Sequence, residues 1–137
     1  MTNIEEHRQV GLGSITRRPD GILHTVFDFD GRPSEELAAE YLSARRDLTG
    51  ATPAPVLLEL VRLPYTDRSI RSFFMSKLAP APCRAVVATD PTLVAMFRTF
   101  ELVDPADVPT QIFSNVDTAV DWIHSQTNQD RASKPGL

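Results

Sequence analysis

A single cysteine, Cys83, stands in a chain of 137 residues, so no intramolecular disulfide can form and a reducing compartment suits the chain. No run approaches the ~20 consecutive apolar residues that a membrane-spanning helix requires. Met1 to Val10 is polar, with Glu5, Glu6, His7 and Arg8, and lacks the apolar core of a secretory signal. A cytoplasmic protein without a membrane span is the expectation. Lys and Arg number 14 against 18 Asp and Glu, a net charge of -4, which argues against nucleic acid as a partner. Arg17-Arg18 and Arg45-Arg46 are isolated pairs and read as solvated surface.

Reactive constellations are equally scarce. His7, His24 and His124 have no His, Cys or acidic partner at a metal-ligand spacing, so neither a metal nor another cofactor is expected. Cys83 lies between Pro82 and the apolar run Ala85 to Ala88, which reads as a small buried thiol and not a nucleophile. Gly11-Leu12-Gly13-Ser14 sits inside a strand pattern, away from any strand–helix junction, and so fails as a nucleophile elbow. Its glycines instead suggest a bulge or a close backbone approach. Asp28 and Asp30 could share one side of a strand end, but nothing in the sequence would raise either pKa. The chain therefore reads as a non-enzyme.

What is present is a soluble globular pattern, 42% hydrophobic and 23% charged. Val10 to Arg17 is a weakly patterned strand, Pro19-Asp20-Gly21 a turn, and Ile22 to Phe29 a second strand, together an antiparallel hairpin. Leu23, Thr25, Phe27 and Phe29 share one of its faces. Ser34 caps a helix with Glu35 and Glu36 in its first turn and Gly50 at its end. Val56, Leu57, Leu58, Leu60 and Val61 form a central strand buried on both faces, interrupted by Glu59. Arg62-Leu63-Pro64-Tyr65 turns into a helix that buries Ile70, Phe73, Phe74 and Leu78. Arg84 to Thr89 is another buried strand. Asp90 and Pro91 start a helix carrying Leu93, Val94, Met96, Phe97 and Phe100 and ending near Glu101. Thr110 to Phe113 is a short strand, and a last helix carries Ala119, Trp122 and Ile123.

The order β-β-α-β-α-β-α-β-α gives an α/β fold with a mixed, mostly parallel five-stranded sheet and four helices. Residues 1–9 read as a flexible N-terminus, 10–124 as a single domain and 125–137 as a frayed tail. Right-handed crossovers collect the loops after the parallel strands along one edge of the sheet. The loop leaving the carboxyl end of a central strand is a favoured binding place in such folds. That points to Tyr65, Thr66, Asp67, Arg68 and Ser69.

Leu58-Glu59-Leu60, the helix start Thr66-Asp67-Arg68-Ser69, and Gln111-Ile112-Phe113-Ser114 followed by Ala119-Val120-Asp121-Trp122-Ile123 carry a family likeness. Over residues 10–124 the chain resembles the STAS-like superfamily, the fold of bacterial anti-sigma-factor antagonists. It looks most similar to small bacterial domains grouped with STAS/SEC14-type proteins. In the antagonists, a serine after an aspartate at this helix start is phosphorylated, which switches partner binding off. Asp67 matches the aspartate, Arg68 takes the next place and Ser69 follows, so the resemblance offers Thr66 and Ser69 as phosphate acceptors at a helix N-terminus. A plain cap at Thr66 stands beside that reading.

The resemblance implies a non-enzymatic regulatory module that docks to a protein partner or to itself as a homodimer. Tyr65 to Ser69 would form the contact edge, with Phe97 and Phe100 supplying apolar contact. Its SEC14 branch implies the alternative, a domain that binds a small apolar ligand or lipid.

Overall fold

The computed structural model describes residues 5–50, 53–62, 81–103 and 108–132. Among them are strands β1 (Glu6–Val10), β2 (Gly13–Arg17), β3 (Leu23–Asp28), β4 (Val56–Arg62), β5 (Arg84–Val87) and β6 (Thr110–Phe113). The helices are α1 (Glu35–Thr49), α2 (Pro91–Val103) and α3 (Val116–Ala132). All six strands form one sheet in sequential order, β1 to β6. The first three are antiparallel neighbours, whereas β3 to β6 run parallel.

The α/β class agrees with the sequence, but the described residues hold six strands where five were expected. Residues 6–9, expected within a flexible N-terminus, belong with Val10 to an edge strand, Glu6–Val10. The expected single strand Val10 to Arg17 is broken at Gly11-Leu12, where Val10 pairs with Gly13 across a two-residue turn. The last helix continues to Ala132 instead of stopping at His124. Three helices lie among the described residues, and the one expected from Thr66 to Leu78 falls outside them.

Local chemistry accounts for the elements. At the second hairpin the Gly21 N–H donates to the Arg18 carbonyl at 2.9 Å, closing a turn with Pro19 in its second place. Gly21 then takes φ +86°, the left-handed residue that follows such a turn in a three-residue hairpin loop. The Leu37 N–H donates to Ser34 Oγ at 3.2 Å, capping α1 as expected. Gly50, at φ +61°, donates to the Arg46 carbonyl and ends it. The Thr92 N–H donates to Asp90 Oδ1 at 2.8 Å, with Pro91 in the first helical position of α2.

Alternation along the strands sends side chains to two cores. On one face Ile15, Leu23, Phe27, Leu60 and Val86 pack with Tyr41, Leu42 and Leu48 of α1 and Leu93 of α2. On the other, Ile22, Leu57, Ala85 and Val87 pack with Ala119, Val120 and Ile123 of α3. The Thr25 and Tyr41 hydroxyls, both buried, share a hydrogen bond of 3.0 Å in the first core. Two burial expectations change. Arg45 lies in the buried stripe of α1 between Tyr41 and Leu48, at 5% exposure, and is not solvated surface. Val61 is 51% exposed because the β3–β4 register slips there: Phe27 pairs with Leu60 and Asp28 with Arg62, so Val61 has no cross-strand partner.

Candidate docking site

β4 lies between β3 and β5, near the middle of the sheet, as the sequence implied. Its carboxyl end leaves the sheet at Arg62, beside the end of β3. There the Phe29 N–H donates to the Arg62 carbonyl at 2.8 Å. The Arg62 guanidinium donates from Nε to Asp28 Oδ1 at 3.1 Å and lies 3.6 Å from Asp30. All three side chains are exposed, so the pairs add little stability. Asp28 and Asp30 thus meet on one guanidinium, an arrangement of a solvated strand end and not of an acid/base pair.

The five residues proposed for the contact edge, Tyr65, Thr66, Asp67, Arg68 and Ser69, lie outside the described residues. The two phosphate acceptors proposed among them, Thr66 and Ser69, lie outside as well. Phe97 is half-buried against the core shared by α1 and α2, so part of its ring is spent on packing. Phe100 belongs to α2, but its side chain is outside the description.

Sequence reading missed two other groupings. On the α3 side of the sheet, His24 Nε2 donates to Glu59 Oε1 at 2.9 Å, with side chains 21% and 30% exposed. Glu59 therefore interrupts the apolar strand for a reason: the parallel register sets it diagonally across from His24. In the same row, Thr16 pairs with both His7 and His24. His7 Nδ1 shares a hydrogen bond of 2.7 Å with Thr16 Oγ1, while its Nε2 donates to Gln9 Oε1 at 3.0 Å. α3 covers the β5 side of this face, so these polar groups occupy the part nearer β1. The signal available in sequence was only one charged residue in an apolar run, and its partner lies 35 residues away.

The second grouping lines a cleft of about 580 Å³ at the opposite end of the parallel strands. Arg17, Asp20, Thr49, Pro53, Pro55, and His124 surround it. Ile22, Leu48 and Ile123 also line it, each at 3% exposure or less. Asp20 accepts from His124 Nε2 at 3.1 Å and pairs with Arg18 at 3.2 Å. This latch joins the hairpin turn to α3. It spans 104 residues of chain, beyond the reach of any local pattern.

Cys83 is 1% exposed within the core under α3, and burial raises its thiol pKa. That is the opposite of an activated nucleophile. Among the described residues no cluster of His, Cys, Asp and Glu could hold a metal ion. No described helix is long and apolar enough to cross a membrane.

A family model described as a domain of unknown function (DUF7793) matches residues 15–127. No curated protein and no solved structure matches the chain.

Proposed function

The chain belongs to the DUF7793 family, and from that premise we propose that it is a non-enzymatic, STAS-like interaction module of the bacterial cytoplasm. It docks to a protein partner through the chain that leaves β4. The observation that carries this reading is the exit of a near-central strand at Arg62, onto an exposed rim with Asp28 and Asp30. In open α/β sheets the carboxyl ends of the strands are where recognition is built. The sequential strand order, with a hairpin leading into parallel strands, supports the STAS-like assignment. A buried thiol in a chain with one cysteine supports a reducing compartment.

A pull-down comparing wild type with the double variant Tyr65→Ala, Arg68→Glu tests the docking edge. Loss of a specific partner while the thermal midpoint holds supports the reading; unchanged recovery of that partner removes it. Reversing the rim charge with Arg62→Glu is expected to weaken the same capture, with the loss shrinking at high salt.

A further inference from the structure

We propose that β1 is a pairing edge for a second copy of this chain, joined antiparallel about a two-fold axis at His7. This contact is separate from the rim beyond β4 and does not depend on it.

Among the described residues β1 lies at the outer edge of the sheet, with β2 as its one neighbour, and His7, Arg8 and Gln9 are exposed. The two-residue turn at Gly11-Leu12 makes Val10 and Gly13 a hydrogen-bonded pair. Hydrogen-bonded and non-hydrogen-bonded pairs alternate along an antiparallel ladder. Arg8 with Ile15 and Glu6 with Arg17 are therefore bonded inward, and the backbone groups of His7 and Gln9 point out from the sheet edge. A partner strand must engage those outward groups.

That parity limits the symmetric registers, and charge selects among them. A two-fold at Glu6 sets Glu6 against its own copy, and one at Arg8 does the same for Arg8. Like charges directly opposite are unfavourable. A two-fold at Gln9 places Arg8 opposite Val10. Only the two-fold at His7 sets Glu6 opposite Arg8 twice, once on each side of the axis. Arg8 is available for this role: its described hydrogen bond is to the His7 carbonyl, at 3.3 Å. Glu6 is held by Arg17 at 3.7 Å between exposed side chains, a weak tie. An edge of five residues buries little by itself, so the dimer is a reversible one that forms with rising concentration.

Sedimentation velocity on the full chain over a concentration series tests this, with the thermal midpoint of each variant recorded alongside. Wild type is expected to shift from monomer to dimer, and added salt to oppose the shift. Arg8→Glu sets acid against acid and is expected to weaken association about tenfold or more. The charge swap Glu6→Arg, Arg8→Glu restores the complementary register and is expected to recover it. His7→Pro removes an outward N–H while sparing the backbone bonds to β2 and losing the side-chain bond to Thr16, so with its thermal midpoint held it too is expected to give a monomer. A wild type that stays monomeric at every concentration overturns the proposal. So does a dimer that survives both Arg8→Glu and His7→Pro, or one that the swap fails to rescue.

Discussion

At Gly13 the backbone takes φ +149°, and a Cβ there would run into the carbonyl of Val26 on the neighbouring strand. Gly13→Ala is therefore expected to cost about 2 kcal/mol or more, read as a lower urea midpoint. The sequence offered a bulge or a close backbone approach at this pair of glycines, and at Gly13 the close approach is what the structure holds. Cys83 gives a pH test. Its thiol is raised by burial above the ordinary 9.0. Below pH 9 both folded and unfolded chains keep the proton, and this group makes no difference. As pH climbs past 9 the unfolded chain releases it first, so stability falls until the folded value is also passed. Urea midpoints at pH 8 and pH 10 should fall more steeply for wild type than for Cys83→Ala. Alkylation of the native thiol should be slow and should accelerate on unfolding.

For the elements, caps were legible and solvated edges were not. Ser34, Asp90 and Gly50 act within one turn of chain, so residue type alone located them. Ser34→Ala is expected to cost about 1 kcal/mol, measured by equilibrium denaturation. β1 escaped notice because it buries no alternate residues: its sequence EHRQV is exposed along its middle, and only pairing with β2 makes it a strand. The tail of α3 escaped for a related reason, since Ser125 to Ala132 is polar and carries no apolar stripe beyond Ile123. Ile123 itself was read correctly as inward-facing and is fully buried. Ile123→Ala is expected to cost about 3 kcal/mol, with α3 loosening first.

At the scale of the molecule, the described residues form a sheet with α1 and α2 packed on one face and α3 on the other. Deleting residues 1–9 tests how far β1 belongs to that cooperative unit. A flexible terminus would leave the denaturation curve unchanged, whereas loss of an integral strand lowers both the midpoint and the m-value, since less surface is then buried. By itself the sequence determined the α/β class, the helix caps, the buried thiol and the apolar positions of β4 through Leu60, because each depends on near neighbours or on side-chain period. Tertiary structure alone decided that Glu59 meets His24, that Asp20 latches His124, that Val61 bulges out and that Arg45 turns inward. Those outcomes depend on parallel register and on which elements stack, and contacts between residues far apart in the chain leave no local trace in composition or spacing.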